Sequence, residues 1–419
     1  MRRVVLLGLV LVVALAASVA SSTAAPTETG VTARSITVGG TFPLTGPASL
    51  YATISVATKA YFSYVNRRKG PDGRRGVYGR QINFIVYDDG YNPANSVQLT
   101  RKLVEEDKVF ADLASLGTEV NEAIRPYLNQ KKVPQLLVNT GATTWGADFK
   151  KWPWTGGWQP PYQFEGGLYG QAIAKNSPNA KIGVLYQNDS YGKDYVAGLE
   201  AGLGDKKSNI VAKEAHETTA TSVASQIARL KASGANVLVI FSLPGNTIRA
   251  YATATALRWT PDLVYTNSVS ATDTFLTAAK AGGASDAILN KTYTTQYLMD
   301  PANPVWDNTP GMKLYKQVMA QYYPKGRLTD GLNLYGMAVA HAFTQLLYKA
   351  GKNPTRASLM QAYRNWNEVH PLLIPGNKQK TSGNDQFPVG CDRMMKFTNG
   401  TFRAVQRMKC MSGGSFAVS

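Results

Sequence analysis

From residue 35 onward, short apolar runs alternate with stretches whose apolar residues recur every three or four positions. A short apolar run bounded by turn residues reads as a buried strand, and the three-to-four repeat reads as a helix with one buried face. Ile36–Gly40 is thus a strand, and Ile54, Ala57, Tyr61 and Val65 place a helix over about 49–69. Ile82–Tyr87 is the next strand, followed by Asp88-Asp89. Asn92 as cap and Pro93 in the first turn open a helix that runs to about Asp107. A strand at Val109–Leu113, a helix over Thr118–Lys131 and a strand at Gln135–Val138 complete a βαβαβαβ series. That order predicts a parallel sheet with helices on both faces.

The rhythm breaks at 144–165, where Pro153, Pro160, Pro161 and several tryptophans interrupt any period. It then resumes. Helices are expected over about 165–176, 191–204, 221–233 and 246–258, between strands at 181–186, 210–214, 237–241 and 263–266. A further strand is expected at Ala287–Tyr293, then helices over 311–322, 330–350 and 354–365. Asn399-Gly400 marks a hairpin within 394–407. The fold class is therefore α/β, with two similar lobes and parallel central sheets, although no sequence repeat is visible.

Composition narrows the field. Over 419 residues, 44% are apolar and 17% charged, which excludes disorder for the bulk of the chain. The formal charge is +18, a balance that first suggests nucleic acid. The N-terminus argues otherwise. Met1-Arg2-Arg3 precedes an unbroken apolar stretch from Val4 to Ala17 and the small-x-small run Ser18-Val19-Ala20, the pattern of a secretory signal peptide over 1–25. About 14 apolar residues are short for a ~30 Å hydrocarbon core, so an N-terminal anchor is the weaker reading. Removing Arg2 and Arg3 leaves 18 − 2 = +16. An exported chain meets no genomic DNA, so no nucleic-acid partner is expected. Arg67, Arg68, Lys69, Arg74, Arg75 and Arg80 cluster near one helix end, where the dipole favours cations on a solvated surface. The rest of the excess suits attraction to anionic solutes, to an acidic membrane face or to a permease.

The two cysteines, Cys391 and Cys410, suit one disulfide in an oxidising compartment; two unpaired buried thiols are the alternative. No Leu-x-x-Cys lipid-attachment pattern occurs near the signal peptide, so a free rather than lipid-anchored protein is expected. Catalytic patterns are missing: His216, His341 and His370 lack metal-ligand spacing, and no Gly-x-Ser-x-Gly, Gly-x-Gly-x-x-Gly or phosphate loop occurs. Asp88-Asp89 reads as a loop tie or helix cap. No enzyme activity, metal or cofactor is expected. What remains is a set of polar and aromatic residues at the carboxyl ends of strands, where open α/β sheets bind ligands: 41–47 with Tyr51, 115–118, 139–145 and 188–192.

These stretches resemble the branched-chain amino-acid type of periplasmic solute-binding proteins, which feed ATP-driven (ABC) importers. The resemblance spans roughly 34–405, and its motifs are Gly39-Gly-Thr-Phe-Pro-Leu-Thr-Gly-Pro47, Tyr87-Asp-Asp89 with Asn92-Pro93-Ala94, Asn139-Thr-Gly-Ala-Thr143 and Asp189-Ser-Tyr-Gly192. It implies a type I periplasmic-binding-protein fold of two Rossmann-like lobes: lobe 1 from 34–154 plus 293–365, lobe 2 from 155–292 plus 366–419, three hinge crossovers and a ligand cleft between. It implies a periplasmic location, a small-molecule ligand, a membrane permease as partner and a monomer.

By the same resemblance Thr118, beside Gly117, holds the ligand carboxylate, and its place opening a helix agrees. Gly141 and Thr143 face the ligand's amino end, Tyr191 closes over it from the second lobe, and Tyr51 is a wall of the first. Ser268 stands where amino-acid-binding members carry a carboxylate, and Trp145 with the 152–158 cluster offers flat apolar walls near the hinge. The segment Tyr265-Thr-Asn-Ser-Val269 has no acid, so a small, aromatic or apolar carboxylate is as well suited as an amino acid, and an anion better than a zwitterion. A ligand-sensing receptor module is the alternative, and a secreted hydrolase a third reading that needs a nucleophile–base pair.

Overall fold

A computed structural model describes residues 28–412 and 415–418; the expected signal peptide over 1–25 lies outside the described residues. The first lobe is a parallel sheet in the order β2-β1-β3-β4-β5. Its strands are β1 (Ser35–Phe42), β2 (Gln81–Asp88), β3 (Asp112–Leu113), β4 (Gln135–Leu136) and β5 (Thr155–Gly156), interleaved with α1 (Thr53–Arg67), α2 (Pro93–Glu105), α3 (Thr118–Gln130) and the short α4 (Thr144–Ala147). Asn92 caps α2 as its sequence suggests, its side chain accepting from the amides of Ala94 and Asn95. Asp88 ties the β1 loop by accepting from the Leu44 and Thr45 amides at 2.9 and 3.1 Å.

The second lobe follows: α5 (Tyr162–Asn176), β6 (Ile182–Gln187), α6 (Ser190–Leu203), β7 (Ile210–His216), α7 (Ala224–Ala232), β8 (Val237–Phe241), α8 (Pro244–Ala256), β9 (Leu263–Thr266), α9 (Asp273–Ala281), the single-turn α10 (Asp286–Leu289) and β10 (Thr292–Gln296). Strands β7-β6-β8-β9-β10 run parallel, and every residue of β8, Val-Leu-Val-Ile-Phe, is buried. An unbroken apolar strand suits a sheet covered on both faces, each such side chain stabilising by roughly 1.5–3 kcal/mol. The chain then returns to the first lobe with α11 (Pro310–Tyr322), α12 (Gly331–Ala350) and α13 (Arg356–Arg364), α12 packing along α1. A small two-stranded sheet, β11 (Asn367–Glu368) with β12 (Gln379–Lys380), precedes β13 (Cys391–Thr398), which pairs antiparallel to β10. The hairpin to β14 (Thr401–Ala404) turns at Asn399-Gly400, and β15 (Lys409–Ser412) and β16 (Ser415–Val418) extend the edge. The Cys391–Cys410 disulfide joins β13 to β15, with Cα atoms 4.0 Å apart.

Three expectations shift. The apolar run beginning at Ala287 is not one strand: Asp286–Leu289 is a helical turn burying Ile288 and Leu289, and the strand begins at Thr292. The proline-broken stretch supplies a fifth strand to the first sheet at Thr155–Gly156. The chain also crosses between lobes later than expected at each place. β5 belongs to the first sheet and β10 to the second, while Trp366, Leu372, Leu373 and Val389 pack into the first lobe's core, so the last crossing falls near 390.

Two buried histidines meet in the first lobe. His341 on α12 is 4.8 Å ring to ring from His370 and hydrogen-bonds the Tyr61 hydroxyl at 2.6 Å. The Leu372 amide donates to His370 Nδ1, so its Nε2 carries the proton given to the Ala338 carbonyl. Burial pulls both imidazoles down, His341 to about 4. A folded-state pKa below the unfolded value gives stability that is full above about pH 6.5 and is lost as pH falls toward 4. Urea denaturation is therefore expected to show wild type losing about 3 kcal/mol more than His341→Leu between pH 6.5 and 4. Parallel pH profiles of the two proteins would contradict this.

Among the described residues, no helix is long and apolar enough to cross a membrane. Part of the basic cluster has structural work: Arg67 and Arg68 lie over Tyr322 and Tyr64, and Arg80 donates to the carbonyls of Thr32 and Lys352.

Candidate functional site

Each sheet reverses its direction of winding beside its first strand, β1 in one lobe and β6 in the other, and such switch points open a crevice at the strands' carboxyl ends. The two crevices face each other across a cavity of about 130 Å³. From the first lobe, Tyr51, Ile54, Tyr91, Leu116, Gly117 and Thr118 line it, with Asn139 and Thr140 after β4 and Leu332 and Tyr335 of α12. The second lobe contributes Tyr191, Leu243, Ser268 and Val269, and the crossovers contribute Gln159, Tyr162 and Tyr297.

Helix α3 enters this wall by its N-terminus. Gly117 is the residue before its first turn, at φ 114°, and no side chain caps the helix. A Cβ at Gly117 would overlap the Tyr91 ring, so glycine is required for space as well as for backbone angle. Thr118 is the first helical residue, and its hydroxyl pairs with that of Thr140 at 2.7 Å. An uncapped helix start with a hydroxyl pair beside it can receive a carboxylate or another acceptor.

Across the cavity Tyr191 opens α6. Its hydroxyl donates to the Ser242 carbonyl at 3.0 Å and accepts from Asn267 at 2.6 Å. Tyr51 reaches from one lobe to the other, donating to the Val269 carbonyl at 3.1 Å. Tyr335 donates to Gln159, whose amide in turn donates to the Tyr162 hydroxyl. With those hydroxyls tied to protein, the tyrosines offer the cavity mainly ring carbon. Burial pushes the phenols of Tyr51, Tyr91, Tyr162, Tyr191, Tyr297 and Tyr335 upward, so all stay neutral.

Ser268 is held from behind. Glu165 of α5, 2% exposed, accepts from the Ser268 amide at 2.6 Å and hydroxyl at 2.8 Å, and from Tyr169 and Tyr195 at 2.5 and 2.7 Å. Burial pushes its carboxyl up against these donors. A carboxylate thus stands behind the segment whose own sequence has none.

Of the expected site residues, Tyr51, Gly117, Thr118, Tyr191 and Ser268 come together on this wall. Gly141, Thr143 and Trp145 lie off it. The Gly141 carbonyl accepts from the Tyr162 amide, and the Thr143 amide donates to Asp194 at 2.8 Å. Trp145 is buried under the Arg125 guanidinium, 4.7 Å from its ring centre. Sequence reasoning passed over Tyr162, Tyr335 and the acids Asp273 and Asp300, all on the cavity wall. Asp273 reads as an ordinary first-turn acid, and Asp300 as a turn cap that accepts from the Ala302 amide. Only the crossover at 297–301 brings them together.

A serine–histidine contact does occur: His216 Nε2 lies 2.7 Å from Ser242 Oγ. Both are buried and neither lines the cavity, so no substrate atom placed there reaches them. Among the described residues, no cluster of His, Cys, Asp and Glu is arranged to hold a metal.

This two-lobed fold with its ligand cleft between facing sheets defines a class, and the comparisons agree. A model of the periplasmic binding protein family matches residues 35–401. The chain belongs to that family. No match is found among curated proteins. Similar solved structures include a branched-chain amino-acid ABC transporter protein from Thermus thermophilus with bound valine, 17% identical at a TM-score of 0.76, covering 90% of this chain and 97% of that one. A fatty acid ABC transporter substrate-binding protein from Thermomonospora curvata is 19% identical at 0.74, covering 91% and 94%. A substrate-binding periplasmic protein from Ralstonia solanacearum is 19% identical at 0.75, covering 88% and 99%. At these identities the likeness is one of fold.

Proposed function

We propose that the protein captures a small organic solute between its lobes, outside the cytoplasmic membrane, and delivers it to the permease of an ABC-type importer. The observation that carries this reading is the cavity at the paired switch points, walled by neutral tyrosines and entered by the uncapped start of α3. Such a wall binds and encloses a ligand. Thr118 and Gly117 would anchor the polar end of the solute, Ser268 would support it, and Tyr51 and Tyr191 would close the two lobes over its body. The family match and the exported character of the sequence support the transport role.

A ligand present at 100 times its Kd stabilises the folded state by about 2.7 kcal/mol. Protein stripped by unfolding and refolded is therefore expected to melt several degrees lower, and to recover when the released small-molecule fraction is returned. Thr118→Val should lose most of that recovery while melting normally when stripped. Equal recovery in wild type and variant would remove Thr118 from the site.

A further inference from the structure

The wall of the cavity holds a pair of carboxyls, Asp273 at the start of α9 and Asp300 in the crossover after β10. Asp300 is 8% exposed; its Oδ1 accepts from the Ala302 amide at 2.9 Å, but its Oδ2 has no hydrogen-bond partner. Both oxygens of Asp273 are likewise buried without a donor. The two carboxyls meet, so that a proton held by Asp273 can be shared with Asp300, which Gln296 also approaches; each is pushed upward, Asp273 to about 8, chiefly by burial. Among the described residues neither makes an ion pair, and no Lys or Arg lines the cavity. One shared proton leaves the pair with a net negative charge, and a buried charge with no counter-ion is destabilising.

The surroundings favour charge over a neutral donor. Glu119 and Glu122 of α3 and Asp189, Asp194 and Glu217 of the second lobe flank the residues that line the cavity, and most raise one another's affinity for protons. Lys193 and Arg125 offset part of this, but these five acids outnumber them although the whole chain carries +18. Beside neutral polar groups such as Asn139, Gln159 and Gln296, the rest of the wall is largely apolar and aromatic, with six tyrosines, Tyr51, Tyr91, Tyr162, Tyr191, Tyr297 and Tyr335, around one small space. Neutral ring faces beside carboxylates recognise ammonium and guanidinium groups, and alkylated ammonium and guanidinium combine positive charge with weak hydration.

We propose that the cavity takes a small organic cation, an ammonium or guanidinium compound, with its charge against the Asp273–Asp300 pair and its carbon skeleton against the tyrosines. This rests on the solute-binding reading and reverses the expectation of an anionic ligand that the acid-free segment 265–269 invited.

The test uses full-length mature protein, stripped and refolded, with isothermal titration against matched probes. Choline is paired with its neutral carbon isostere 3,3-dimethylbutan-1-ol, and lysine and arginine with norleucine; phenylacetate and octanoate supply the anionic arm. The cationic member of at least one pair is expected to bind at least 10-fold tighter than its neutral partner, and Asp300→Asn and Asp273→Asn should each weaken it by roughly 10–100-fold. Asp300→Asn keeps the acceptor used by Ala302, and thermal melts of both variants confirm that the fold is retained. Tighter binding of phenylacetate, octanoate or a neutral probe, unchanged in both variants, overturns the cation and leaves the solute-binding reading standing. Failure of every cationic probe overturns it too. The solute-binding reading fails separately, if protein purified from its own cells carries no releasable small molecule.

Discussion

Replacing Glu165 by alanine is expected to destabilise the protein by about 4 kcal/mol, read as a lower urea midpoint, and to loosen the cleft as well. The side chain is buried and gathers four donors, from Tyr169, Tyr195 and both the amide and hydroxyl of Ser268. Hydrogen bonds to a charged acceptor contribute roughly 1.5–3 kcal/mol each, and leaving their donors buried and unpaired has a penalty of its own. Losses in one network do not add fully, hence the smaller total. Glu165→Gln keeps the shape and one good acceptor and should fall between variant and wild type. Because Ser268 lines the cavity, Glu165→Ala should also weaken solute binding, which a surface change of equal stability would not do. A loss below 1 kcal/mol would show that the four bonds are replaceable by water.

Gly198→Val is expected to be nearly as damaging, about 3 kcal/mol, or to stop the protein accumulating in soluble form. Helices α5 and α6 touch backbone to backbone. A Cβ at Gly198 would overlap the Gln163 carbonyl, one at Gly202 the Gly167 carbonyl, and one at Gly166 would come within 2.5 Å of the Tyr195 carbonyl. Backbone atoms cannot move aside as a flexible side chain can, so the helices must separate. That separation would carry Tyr191 and Tyr195 on α6 away from Glu165 on α5. Gly383→Ala is the control: nothing stands within 4 Å of an added Cβ there, and a change within about 0.5 kcal/mol is expected. Thermal melting of the two variants side by side decides it.

These two sites mark where the sequence was legible and where it was not. The unbroken apolar run of β8 and the Asn92-Pro93 start of α2 are local signals, and the structure repeats them residue for residue. The same is true of the hairpin at Asn399-Gly400 and of the Cys391–Cys410 pairing. Residues after strand ends were visible as a class, yet a turn's direction depends on what packs behind it. The Asp194 carboxylate holds the Thr143 amide, and the Tyr162 amide holds the Gly141 carbonyl. Neither partner is near in sequence, so nothing local separates these residues from Thr118, which does line the cavity. The acids are the clearest case. Glu165 looks like any helical glutamate, and Asp273 and Asp300 look like caps, until the crossover at 297–301 folds the chain back past α9.

The central claim, that the cavity between Thr118 and Tyr191 encloses a small solute, meets its most direct test in native mass spectrometry of protein purified from its own cells. A one-to-one, non-covalent adduct of small mass is expected, lost on denaturation and strongly reduced in Thr118→Val. A bare protein mass, or an adduct retained equally by the variant, would contradict it.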